Sequence, residues 1–260
     1  MSTFLFDKTI FGPIISRRLG ISLGVNLLPN DSKLCSFDCI YCECGWNPER
    51  RSSPVLLPKR QEVQSQLRQK LLEMKNIGQL PDVITFAGNG EPTMHPDFEE
   101  IVEDTIQLRN ELSQKSRIAV LSNATMLHKE GVVKALKRVE DNILKLDSAI
   151  LETIRVINKP TGKFTIATLV GNLKKFEGNL IVQTMFLKGT IDGIPFNNAT
   201  DAEVERWISL LKEIQPKSVM IYSLDRDTPA ENLLAIKLEQ LQEIGRRVEK
   251  ETNIAVQVSG

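Results

Sequence analysis

The sequence predicts an α/β fold: a partial (β/α)6-type TIM barrel, open laterally, with a long loop after the first strand. Three observations predict it. Short runs rich in valine and isoleucine alternate with amphipathic segments, the pattern of a parallel sheet with right-handed crossovers. The runs number six or seven, short of the eight that close a full barrel. One break interrupts the alternation, roughly 30 residues without clear period, and loops that long in a compact domain usually serve function. A flat doubly wound sheet is the alternative arrangement.

In chain order, the expected strands are GISLGVNLLP (20–29), DVITFAG (82–88), RIAVLSN (117–123), DNILKLD (141–147), NLIVQTMFL (179–187), SVMIYSL (218–224) and NIAVQVS (253–259). The expected helices lie near 59–76, 97–115, 127–138, 149–157, 164–176, 201–214 and 229–251. No Gly/Ser linker, low-complexity tract or shift of composition divides the 260 residues, so one domain over 1–260 is expected. Lys plus Arg (33) equals Asp plus Glu (33), so no global field draws the chain to nucleic acid or membrane. A dedicated RNA binder, which relies on phosphate contacts, is disfavoured.

The opening MSTFLFDKTIFGPIISRRLG lacks a long apolar core behind a basic start, so no signal peptide is read. No apolar run reaches the roughly 18 residues of a membrane span. A cytoplasmic protein without a membrane partner is expected. Thiols there stay reduced, and clustered cysteines then favour metal or redox chemistry over disulfides.

All four cysteines, Cys35, Cys39, Cys42 and Cys44, lie in LCSFDCIYCECG inside the long loop. A structural zinc site takes two Cys-X2-Cys knuckles, yet only Cys39 and Cys42 form one, and His95 and His128 lie far away in sequence. An iron–sulfur cluster fits closely spaced thiolates on a loop better. Three thiolates at Cys35, Cys39 and Cys42 leave one iron of a [4Fe–4S] cube open, as catalysis requires. Cys44 is expected not to be a ligand.

The other strand ends are also polar, and in such barrels chemistry gathers there. The second run leads into Gly88-Asn89-Gly90-Glu91, where glycine permits close approach of backbone and the exposed carbonyls plus Glu91 can receive an ammonium. Ser122 and Asn123 end the third run, as ligand contacts or as helix caps. In ILKLD, Leu144 and Leu146 face outward, so Lys145 and Asp147 point into the barrel. Inward charges imply ligands or a mutual ion pair. Gln183 faces inward by the same alternation, and the sixth run ends in Ser223-Leu224-Asp225-Arg226-Asp227. His95 reads as a cap beside a helix start and His128 as a surface residue. Arg17 and Arg18 precede the first run, placed to close the barrel bottom or touch substrate. Arg50, Arg51, Lys59 and Arg60 form a small basic group of the kind that is usually a solvated face.

Cys35-Ser-Phe-Asp-Cys39-Ile-Tyr41-Cys42 resembles the signature of the radical S-adenosylmethionine (radical SAM) superfamily. The resemblance implies that the open iron is chelated by the amino and carboxylate groups of S-adenosylmethionine. Reductive cleavage then gives a 5′-deoxyadenosyl radical that abstracts hydrogen from substrate. It places Tyr41 near the adenine and Gly88, Asn89, Gly90 and Glu91 at the cofactor amino group, with Asn89 in place of the first glycine of the family's GGE motif. It assigns Ser122 and Asn123 to ribose or carboxylate, Lys145 to the same groups, and Asp147 to ribose or substrate, with Gln183 joining the set. An external one-electron reductant of flavodoxin or ferredoxin type is implied, and a monomer is expected.

FGPIISRRLGISLGVNLLP and INKPTGKF are similar to a branch of Fe–S oxidoreductases related to wyosine-base synthases. Archaeal wyosine synthases carry further cysteines, whereas this chain has only Cys44 beyond the three. The expected function is therefore a radical SAM enzyme acting on a small molecule, a peptide or an RNA base, with only weak tRNA binding. Wyosine-type tRNA modification and a non-catalytic Fe–S or zinc module are the alternatives.

Overall fold

The structure, a computed structural model, describes residues 4–16, 18–49 and 55–259. All seven expected strands form: β2 (Gly20–Val25), β3 (Val83–Phe86), β4 (Arg117–Ser122), β5 (Asp141–Lys145), β6 (Ile181–Met185), β9 (Ser218–Tyr222) and β11 (Ala255–Ser259). Each pairs in parallel with the next in that order, and β1 (Ile10–Ser16) adds an antiparallel edge against β2. The result is an open, strongly curled half-barrel of eight strands, one parallel strand more than six.

Between the strands run α1 (Arg60–Asn76), α2 (Phe98–Leu112), α3 (Glu130–Leu136), α4 (Leu151–Ile157), α5 (Ile166–Leu173), α6 (Asp201–Ile214) and α7 (Leu238–Thr252). Strand residues of one parity, among them Ile84, Phe86, Ile118, Val120, Leu144, Val182, Val219 and Ile221, merge with the helices into one large core. Those of the other parity, Val83, Ala119, Ile143, Ile181 and Met220, join Leu19 in a separate inner cluster. A doubly wound sheet would set helices against both faces. Here the inner face packs on itself, which is what curling a sheet into a barrel achieves.

Four expectations about elements need correction. The run 20–29 is a strand only to Val25, because the Asn26 side chain accepts from Leu28 N (3.2 Å) and turns the chain. The run 179–187 is two strands: β6 stops at Met185 and β7 (Leu187–Ile191) begins after Phe186. Asn198 pinches that break, donating to the carbonyls of Asp147 and Met185 (both 2.8 Å) and accepting from Leu187 N (2.8 Å). The amphipathic stretch 229–251 is helical only from Leu238, since β10 (Leu233–Ala235) pairs with β7. With β8 (Ile194–Asn197), these two make a small antiparallel sheet. β1 itself was not expected, as Gly12-Pro13 breaks its period.

Candidate active site

The loop segment from Asn26 to Asn47 crosses the strand ends and is fixed on two sides. Leu34 forms a parallel bridge to Gly90, exchanging bonds with Asn89 O (2.9 Å) and Glu91 N (3.0 Å). On the other side, residues 36–40 run antiparallel to 157–161. Asp38 N donates to Asn158 O (2.9 Å), Ile40 N to Ile157 O (2.9 Å) and Thr161 N to Ser36 O (2.9 Å). Beneath the loop lies Lys33, only 2% exposed, whose ammonium donates to Asp38 Oδ1 (3.1 Å) and Gly45 O (2.9 Å). Asn47 closes the turn, accepting from Cys35 N (2.9 Å) and donating to Phe37 O (3.1 Å).

The sulfurs receive donors from three directions. Cys35 Sγ accepts from Phe37 N (3.4 Å) and Asn123 Nδ2 (3.5 Å), and Cys39 Sγ from Asn158 Nδ2 (3.4 Å). Burial pushes the Cys39 thiol up to about 11 and also raises Cys35. Cys42 moves the other way, to about 6, because the neighbouring Cys44 thiol and the Lys33 charge favour its thiolate. Cys44 keeps its proton, pushed up by the Cys42 thiolate and by burial, and its thiol donates to Gly88 O (3.3 Å).

Lys145 and Asp147 meet as an ion pair (3.6 Å) at the end of β5, bridged by Tyr41. Lys145 donates to the Tyr41 hydroxyl (2.7 Å), which donates to Asp147 Oδ2. Asn158 Nδ2 donates to the same carboxylate oxygen (2.7 Å), and Met185 N to Oδ1 (2.9 Å). Burial opposes the Lys145 charge, but the Asp147 carboxylate outweighs it, so the ammonium is held more firmly than usual. Tyr41 is shifted up by burial and then by Asp147. Gln183, buried, pairs in register with Lys145 on the inner face of β6.

Glu91 is placed differently. Its carboxylate accepts from Thr93 N (3.1 Å), Thr93 Oγ1, Ser122 Oγ (2.8 Å) and Asn123 N (2.6 Å), and burial raises its pKa. Through Asn123, which donates to Ser36 Oγ (2.9 Å) and to Cys35, this brace reaches the cysteine loop. Gly88 and Gly90 have φ of 144° and 142°, and a Cβ on Gly90 would lie 1.9 Å from Leu34 O. Side chains are excluded there by the loop's own approach. Asn89 turns its amide away, donating to Phe6 O (2.8 Å) and Pro29 O (2.8 Å), and so ties the N-terminal segment down.

His95 is buried, with Nε2 at Pro58 O (2.9 Å) and Nδ1 accepting from Asp97 N (3.1 Å), while His128 is exposed. Arg60 forks onto Asp104 (2.7 Å to each oxygen), so part of the basic group serves α1–α2 packing. Lys59 is exposed, and Arg17, Arg50 and Arg51 lie outside the described residues. Ser223 supports the backbone between Phe186 O (2.6 Å) and Ile236 N (2.7 Å), and Arg226 pairs with Glu43 of the cysteine loop (2.6 Å). Sequence reasoning missed Lys33, Asn47 and Asn158. Asn158 lies in INKPTGKF, but nothing local announces that it meets a thiol 119 residues away.

Among the described residues, no three His, Cys, Asp or Glu side chains converge to hold a single metal ion. A cluster makes no such demand, because each thiolate takes its own iron. Donors aimed at sulfur and a buried ammonium below suit such a group, since hydrogen bonds to the sulfurs tune it.

The family model described as the Radical SAM superfamily matches residues 30–208. The chain is 28% identical to GTPase Obg of Brachyspira hyodysenteriae over 258 residues, 98% of this chain and 35% of that protein. It is 29% identical to a UPF0026 protein of Helicobacter pylori over 221 residues, 84% of this chain and 66% of that protein. It therefore spans about a third of the first relative and just under two thirds of the second. Its fold is similar to a radical SAM methyltransferase from Sphaerobacter thermophilus, with a TM-score of 0.65 and 16% identity over 92% of this chain and 65% of that one. Streptococcus suis SuiB bound to S-adenosylmethionine gives 0.62 and 15%, over 91% and 50%.

Proposed function

The chain belongs to the radical SAM superfamily, and we propose that Cys35, Cys39 and Cys42 hold its [4Fe–4S] cluster, with S-adenosylmethionine bound beside them at the strand ends. It is an enzyme. When bound, the cluster and S-adenosylmethionine supply reductive cleavage of the sulfonium and a radical for hydrogen abstraction.

The chain's own residues then have distinct tasks. Phe37 N, Asn123 and Asn158 donate to the cysteine sulfurs and orient them. Lys33 places a positive charge beneath all three thiolates. Tyr41, fixed by Asp147 and Asn158, would pack near the adenine. Lys145, held charged by Asp147, receives a carboxylate or ribose oxygen, and Gln183 stands beside it in register. Glu91, Ser122 and Asn123 act as one brace that sets the height of the loop, with the backbone of Gly88, Asn89 and Gly90 as the close wall toward the cofactor amino group.

The observation that carries this reading is a juxtaposition. Three thiols of one loop stand over a buried Tyr41–Lys145–Asp147 network that links directly to one of them through Asn158. A core has no packing need for such a network, and burying it costs free energy unless it serves a ligand.

The family draws its electron from an external reductant, for which a flavodoxin or ferredoxin type is proposed, acting on a monomeric, cytoplasmic enzyme. No helix among the described residues is long and apolar enough to cross a membrane. The test is anaerobic reconstitution with iron and sulfide, followed by dithionite and S-adenosylmethionine. Formation of 5′-deoxyadenosine is the expected outcome. A preparation with full iron content that forms none would overturn the reading.

A further inference from the structure

At the strand-start end of the half-barrel, two arginines behave differently. Arg117 pairs with Asp141 and donates to Leu19 O (3.4 Å). Arg18, in the turn joining β1 to β2, has its Nη1 buried and without a hydrogen-bond partner. Its guanidinium carbon lies 4.4 Å from the centroid of the Tyr222 ring. Tyr222 faces inward, two residues after Met220 of the inner cluster, and packs against the cluster that contains Tyr41.

The backbone that delivers Arg18 is held in place. Ser16 Oγ accepts from Arg18 N (3.3 Å) and Leu19 N (3.2 Å), and Leu19 is part of the inner cluster. From the far side of the lateral opening, Gln257 of β11 donates to Arg18 O (3.3 Å). The turn thus spans the gap between the first and last parallel strands and sends a cation inward.

A buried guanidinium nitrogen with no acceptor is costly, because desolvation is not repaid. A guanidinium set over an aromatic ring can still present two parallel N–H groups to a carboxylate or phosphate. Arg18 enters from the strand-start end, and the Tyr222 ring that it reaches packs against the cluster of the cysteine loop, so an anion on Arg18 would sit next to that loop's site, on the strand-start side.

We propose that Arg18, backed by Tyr222, is the recognition point for an anionic group of the substrate, a carboxylate or a phosphate, bound inside the barrel. This rests on the catalytic reading above, in that the barrel interior is taken as the substrate chamber. With its anion on Arg18, a substrate extends toward Lys145, Gln183 and the strand ends.

The test is calorimetric titration of the reconstituted protein with inorganic phosphate and, separately, acetate, at fixed ionic strength set with chloride. One of the two is expected to bind saturably. Arg18→Gln should weaken that binding about tenfold or more, the loss of a charge-assisted bond. Arg18→Lys keeps the charge and the fold but not the fork, so a smaller loss is expected. Selectivity for phosphate indicates a phosphorylated substrate and selectivity for acetate a carboxylic acid, and either supports the proposal. Binding unchanged in Arg18→Gln and Arg18→Lys, or absent from the wild type, overturns it. 5′-Deoxyadenosine formation is assayed on the same preparations. Anion binding without it would sink the catalytic reading and keep Arg18 as an anion site, whereas formation without anion binding would do the reverse.

Discussion

On β5 the inward side chains run Asp141, Ile143, Lys145; on β6 they run Ile181, Gln183; on β9 they run Ser218, Met220, Tyr222. The same strands, with the same pleat, each pass from an apolar inward residue to a polar one two residues on. The lower, apolar layer packs on Leu19, with the Arg117–Asp141 pair at the strand starts. The upper one holds an ion pair, a buried tyrosine hydroxyl and an amide that packing alone would have replaced by leucine or valine. Each large apolar side chain in the lower layer contributes about 1.5–3 kcal/mol through burial. The Lys145–Asp147 pair gives little or no net stability, since desolvation offsets its attraction. The difference teaches where the molecule gives up stability: toward the strand ends, under the cysteine loop.

Substitutions can break that contrast. Asp147→Ala leaves Lys145 buried without its carboxylate and Tyr41 without its acceptor. A loss of about 3–5 kcal/mol in denaturant unfolding is expected, together with loss of 5′-deoxyadenosine formation. Lys145→Met leaves Asp147 with Tyr41, Asn158 and Met185 N as donors, so the fold should stand while cofactor cleavage drops by about tenfold or more. Wild-type cleavage in Lys145→Met would show the pair to be structural only.

Ile143→Ala tests the lower layer. Stability should fall by about 2–5 kcal/mol, yet cleavage per folded molecule should match the wild type. A large fall in turnover at full folding would mean that the two layers are not separate in role.

Glu91→Gln gives the smallest of the expected effects and sharpens the comparison between two buried carboxylates. Asp147 has a cation beside it; Glu91 has only neutral donors on both oxygens. An amide nitrogen in place of Oε2 would face the N–H of Asn123, or in place of Oε1 the donors Thr93 and Ser122. One donor is stranded either way, at about 1–3 kcal/mol, read as a lower unfolding midpoint. An unchanged midpoint would show that the brace is not needed.

Much of this arrangement was legible in the sequence because it is local. Period-two alternation through ILKLD puts Lys145 on the inner face with Ile143, and the spacing of Cys35, Cys39 and Cys42 needs no partner to be read. What escaped depends on contacts between distant segments. Residues 157–161 pair with 36–40 only because the barrel brings their strand ends together, and this makes Asn158 part of the site. Lys33 looked like an ordinary loop lysine, and its burial follows from the loop folding back over it. Leu233–Ala235 carries a helix-like pattern in sequence, but pairing with β7 overrides that propensity. Asn89 departs from a glycine motif for a reason visible only in three dimensions, its grip on Phe6 and Pro29.

The central claim is that three of the four cysteines in this loop carry a cluster and the fourth does not. Cys39→Ala and Cys44→Ser, each reconstituted anaerobically beside the wild type, test it by iron content per chain and visible absorbance. The wild type and Cys44→Ser should hold about four irons and keep the broad iron–sulfur absorbance, and Cys39→Ala should hold almost none. Intact cluster in Cys39→Ala, or its loss in Cys44→Ser, would contradict the account.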